Sequence, residues 1–217
     1  MIFELKQKKN KFIEEAYKDS MKELNAFYEI DWVRNTPKIF ILKSRQEIYA
    51  VRGEKTEDWV VGWTGGSNTI YILDIAKIKT ESSHKKGYSK KEYVALIKHE
   101  LSHLFFNILV KDSYHSTWLW EGTAIYTAGQ DKFKVKPDKF SQFLDFYEQH
   151  TKGEQTVYYE SGFFVEMLVE KFGKKKFLNF LKSLHKIKNR KEFDSLFFKT
   201  YGFRLNYKEI NKIYKNR

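Results

Sequence analysis

The chain has 217 residues, enough for one substantial domain or two small lobes sharing a cleft, and its 41% hydrophobic and 18% aromatic content predicts a core built from large rings. It has no cysteine, which excludes disulfides, thiolate metal ligands and a cysteine nucleophile, so any metal must be held by His, Asp or Glu. The formal charge of +12 is spread in short lysine runs such as Lys174-Lys175-Lys176 with no nucleic-acid motif beside them, and it reads as solvated faces rather than a nucleic-acid interface.

Met1-Ile2-Phe3-Glu4-Leu5-Lys6 has no apolar run of signal-peptide length, and no stretch approaches the ~20 apolar residues of a membrane span, so a cytoplasmic chain without a membrane partner is expected. Ile13, Tyr17, Met21, Leu24 and Phe27/Tyr28 recur at helical spacing and predict a first amphipathic helix. Lys38 to Leu42 reads as a strand, and a short helix is expected over Arg45 to Val51. The apolar runs Asp58 to Trp63 and Thr69 to Leu73 flank the turn residues Thr64-Gly65-Gly66-Ser67-Asn68, which predicts a hairpin. A polar loop over Glu81 to Gly87 leads to Ser89-Lys90-Lys91-Glu92, a capping box that starts a long helix with Val94, Ile97, Leu101, Leu104 and Ile108 on one apolar face. Further helices are predicted over Thr117 to Gly129, Asp138 to His150, Tyr158 to Phe172, Lys174 to Lys186, Lys191 to Thr200 and Tyr207 to Tyr214. Strands early and helices late give an α+β fold, with a small, mostly antiparallel sheet and helices over residues 1–130 and a helical lobe over residues 131–217.

His99-Glu100-Leu101-Ser102-His103 carries the chemistry. Two histidines four residues apart project from one helical face, so both imidazoles can reach one metal ion. Glu100 sits about 60° round the helix from His103 at ~100° per residue, where a carboxylate can take a proton from an attacking water. A hydrolytic zinc site needs three protein ligands and one open position. Glu121, in Trp118-Leu119-Trp120-Glu121-Gly122-Thr123-Ala124, is the best third ligand, because its helix can fold back on the first. Gly122 and Ala124 would let those two helices approach closely, and Trp118, Leu119 and Trp120 would anchor the turn in the core.

These motifs resemble those of the gluzincin zinc metallopeptidases, of the peptidase-MA-like group related to the zinc aminopeptidases. The 17 residues between His103 and Glu121 fall within about one of the aminopeptidase interval, and the Trp-Leu-x-Glu-Gly-x-Ala form also matches. Val157-Tyr158-Tyr159-Glu160-Ser161-Gly162 resembles the family segment whose tyrosine opens a helix and points at the transition-state oxyanion; Tyr159 aligns with that tyrosine and Tyr158 is its neighbour. The resemblance covers residues 90–186. It implies a zincin-like catalytic domain with one zinc per chain on His99, His103 and Glu121, Glu100 as general base, Tyr159 as oxyanion donor, and a peptide or protein as substrate. The chain departs from the aminopeptidases at Thr64 to Ile72, which lacks the methionine and glutamate that grip a free amino terminus, although this strand can still pair with an extended peptide.

Two alternatives share the motif: an inert basic interaction module with a retained metal site, and a zinc amidase on a non-peptide substrate. His84, His150 and His185 have no supporting pattern, His115 reads as a surface residue, and Asp112 is a possible partner for a ligand histidine.

Overall fold

In the computed structural model the described residues are Gln7, 9–111, 113–145 and 156–215, so Asp112 and His150 lie outside them. The first helix, α1 (Lys11–Tyr28), starts where the Asn10 side chain accepts the Ile13 N–H at 3.3 Å. It buries Ala16, Ser20, Met21, Leu24 and Tyr28. Strand β1 (Lys38–Leu42) and helix α2 (Arg45–Arg52) follow, then the hairpin β2 (Gly62–Gly65) and β3 (Thr69–Leu73). The turn occupies residues 66–68, with Gly66 at φ 60°, so β2 begins and ends later than the apolar run Asp58 to Trp63 suggested.

The sheet order is β1-β3-β2. β2 pairs antiparallel with β3, but β1 pairs parallel with it, Lys38 opposite Thr69 and Leu42 opposite Leu73. The sheet is therefore mixed, not mostly antiparallel. The segment between β1 and β3 is long enough, through α2 and β2, to bring the chain back in the same direction. β2 lies at one edge, beside α4 (Lys90–Val110). A short helix that the sequence patterns did not signal, α3 (Ile78–Glu81), precedes α4 and buries Ile78.

The Ser89 capping box forms as expected: Glu92 N–H donates to Ser89 Oγ at 3.3 Å, and Ser89 N–H donates to Glu92 Oε2 at 2.8 Å. α4 is buried on nearly every side, packing against α1, α5 (Thr117–Ala128) and the sheet. Ile108 departs from the expected apolar face, being 42% exposed.

The region Asp138 to Asp145 is not the helix that the sequence pattern suggested; it holds only a 3-10 turn at Phe143–Asp145, and residues 146–150 lie outside the description. The buried carboxylate of Glu160 accepts the backbone N–H groups of Ser141, Gln142 and Phe143 at 3.0, 2.9 and 3.2 Å, taking donors that a helix would have used internally. Helices α6 (Thr156–Phe172), α7 (Lys174–Ser183), α8 (Arg190–Tyr201) and α9 (Tyr207–Lys215) complete the described chain. One buried cluster runs from Ala16 to Ile210, so strands and late helices share a core. No helix among the described residues is long and apolar enough to cross a membrane.

Candidate metal centre

α4 and α5 bring His99, His103 and Glu121 together, all buried, in a group that can hold a metal ion. His99 Nε2 lies 3.0 Å from His103 Nε2, and Glu121 Oε2 lies 3.3 and 3.7 Å from them. Tetrahedral ligand atoms about 2.0–2.1 Å from a zinc ion sit roughly 3.3–3.4 Å from one another, so the triangle has the right size without rearrangement. Glu121 Oε2 is buried and no hydrogen-bond donor reaches it. Two imidazole nitrogens and an undonated carboxylate oxygen aimed at one point fit a cation better than they fit each other.

Burial pulls the His99 imidazole pKa down, but the Glu121 carboxylate close beside its Nε2 and the charge of Glu100 together outweigh it and leave it raised. Glu100 is also buried, and desolvation, opposed by His99 and reinforced by Glu121, pushes its carboxyl up to about 7. Its chain lies against the edge strand. A Cβ built on Gly62 would sit 3.0 Å from Glu100 Oε1, so glycine in β2 makes room for that carboxylate.

The tyrosine at the cluster is Tyr158, not Tyr159. Tyr158 Oη donates to Glu121 Oε1 at 3.1 Å, whereas Tyr159 is 42% exposed on another face of α6. One residue is about 100° of helix, so the sequence alignment of Tyr159 and the packing phase of α6 differ by one step. That phase is set by two close approaches. A Cβ on Gly122 would come within 2.6 Å of the Ser161 carbonyl oxygen, and one on Gly162 within 2.3 Å of Ile125 Cγ2. Gly122 therefore admits α6, not α4 as the spacing suggested. Burial first, then the Glu121 charge and hydrogen bond, raise the Tyr158 phenol far above its ordinary range, so it remains a donor.

Several neighbours carried no sequence signal. Lys134 donates its ammonium to the Tyr158 carbonyl, and burial lowers its pKa to about 8 despite the charges of Asp131 and Glu121. The Trp59 ring lies 5.6 Å from that of Tyr158. Trp118 and Leu119 anchor the core as expected, but Trp120 instead stacks on His103, with centroids 3.6 Å apart at 20°. A ring packed flat on the His103 imidazole fixes its plane.

Of the remaining histidines, His115 is not a free surface residue: its Nδ1 is 2.9 Å from the Ser113 carbonyl, its ring meets Phe106, and it lines a cavity behind Trp120. His84 Nε2 lies 3.0 Å from the Trp59 carbonyl, and His185 is exposed. No family model, no curated protein and no solved structure matches this chain.

Proposed function

We propose that the chain is a zinc-dependent peptidase that hydrolyses a peptide bond in a peptide or exposed protein segment. The observation that carries this reading is the convergence of His99, His103 and Glu121 on one point, with Glu100 beside them and the Tyr158 hydroxyl donating to Glu121. His, His and Glu around one open position is the donor set of hydrolytic zinc. The gluzincin resemblance of residues 90–186 agrees with it. When bound, zinc supplies Lewis acidity that acidifies water and polarises a carbonyl.

The residues divide the remaining work. Glu100, with a carboxyl near pH 7, is poised to accept the proton of the attacking water and return it to the leaving amine. Tyr158 keeps its proton and donates to the developing oxyanion, exchanging its bond to Glu121 for one to substrate. β2, an edge strand, offers backbone groups to an extended peptide laid beside Glu100.

The test is a broad peptide library with the zinc-loaded chain and its Glu100→Gln variant. The expected result is cleavage by the wild type and none by a variant that still holds zinc. Metal-loaded wild type inert on every peptide would sink the peptidase reading and favour the interaction module or the amidase.

A further inference from the structure

A cavity of about 870 Å³ opens beyond His103, walled by Leu104, Ile108 and the far side of the Trp120 ring that stacks on His103. Gly66 and Ser67, at the tip of the β2–β3 hairpin, form its rim. β2 and the first turn residue after it thus lead from Glu100 at Gly62 to the cavity at Gly66, a path of roughly 14 Å at about 3.4 Å per residue. A peptide laid antiparallel on β2 with its scissile bond at Glu100 would carry its N-terminal, acyl side towards Gly66 and the cavity.

The polar lining is one-sided. Among the described residues that line the cavity there is one charged side chain, Lys111, and no carboxylate. No described carboxylate pairs with the Lys111 ammonium. Asn107 accepts the Trp120 indole N–H through its Oδ1 at 3.3 Å, which turns its amide NH₂ away from that bond and leaves it as a second donor. Ile108, although 42% exposed, and Leu104 supply apolar wall for methylene groups.

The backbone at Lys111 adds an independent observation. Its φ of 55° and ψ of −146° form a conformation that glycine adopts and that side chains rarely do. Glycine is the residue such a helix end favours, and a lysine held there at a conformational cost, on the rim of a cavity beside the metal centre, indicates that its ammonium is used.

The geometry points to this cavity as the subsite that selects an acidic side chain, aspartate or glutamate, on the acyl side of the scissile bond, with Lys111 as the specificity-determining residue and Asn107 beside it. The excess positive charge of the chain, +12, would draw such peptides to it. This inference rests on the metal-centre reading above, and its test separates the two.

The probes are acetohydroxamate and short N-acetyl peptide hydroxamates, which chelate zinc and extend only to the acyl side, bearing Glu, Gln or Lys at each position in turn. Calorimetry on the zinc-loaded full chain reads their affinity without requiring turnover. At one position the Glu probe should bind at least about ten-fold tighter than the Lys probe. That preference should vanish in Lys111→Gly and reverse in Lys111→Glu. Lys111→Gly relieves the backbone, so its melting temperature should not fall, and lost preference there cannot be ascribed to unfolding. If all hydroxamates bind equally, or if Lys111→Gly keeps the preference, the subsite assignment is overturned while the metal centre stands. If no probe binds, acetohydroxamate included, the open metal centre and the subsite fall together.

Discussion

Gly122→Ala tests the packing that orients the centre, because two effects predict opposite signs. Alanine in an ordinary helix interior stabilises by about 1 kcal/mol over glycine. Here the added methyl would lie 2.6 Å from the Ser161 carbonyl oxygen, 2.9 Å from its carbon and 3.0 Å from Ser161 Cβ. The first two atoms are backbone, so no side-chain rotation relieves the clash. α5 and α6 must separate by several tenths of an ångström, and overpacking of that kind costs about 1–3 kcal/mol. The Tyr158–Glu121 hydrogen bond, at 3.1 Å, spans the same interface and would be stretched, with a loss of roughly 0.5–1.5 kcal/mol. The net expectation is destabilisation by about 0.5–3.5 kcal/mol after the helix-propensity gain is subtracted. For a domain of this size that lowers Tm by roughly 1–14 °C at about 2–4 °C per kcal/mol. Thermal denaturation of the metal-free variant beside wild type measures it, and zinc affinity should fall as well because Glu121 moves with α5. A variant as stable as wild type, or more so, would refute the close approach and with it the placement of Tyr158.

Tyr158→Phe should lower kcat on a cleaved peptide by about 10²–10³-fold, the scale of one oxyanion donor, while Tyr159→Phe changes it little; equal losses in the two variants would contradict the helix phase. Gly62→Ala should press on Glu100 Oε1, 3.0 Å from the new methyl, and reduce turnover by roughly ten-fold with zinc content unchanged. Unaltered kinetics would mean that β2 does not confine the base. In the metal-free chain Glu100 titrates near 7, above the ordinary 4.5, because its charged form is desolvated. Its contribution to stability is therefore full below the unfolded value and lost as pH rises through about 7. Uncharged Glu100→Gln should gain on wild type between pH 5 and pH 8, by up to about 3 kcal/mol, and a Tm difference that does not change with pH would speak against a buried carboxylate.

The legible parts of the site were local ones. His99, Glu100 and His103 are fixed relative to one another by a single helix, and the Ser89–Glu92 box fixes where that helix starts. Glu121 follows because one short connection joins its helix to the first. What sequence reasoning missed depends on how elements meet. Tyr158 rather than Tyr159 faces the cluster because Gly122 and Gly162 let α6 settle in one rotation against α5, and nothing in the order Tyr-Tyr encodes that rotation. Trp118 and Trp120 are both aromatic at the start of α5, yet one is core and the other stacks on His103; the difference is the position of α4. The parallel pairing of β1 arises from long-range contact that a run of Lys-Ile-Phe-Ile-Leu cannot announce. Lys134 reaches the Tyr158 carbonyl across a loop and carries no motif of its own.

Metal content of the purified full chain, wild type beside Glu121→Ala, tests the central claim most directly. One zinc per chain in the wild type, lost or sharply weakened in the variant, is the predicted result. No bound metal after zinc loading, or the same content in both proteins, would contradict the His99–His103–Glu121 centre and every function built on it.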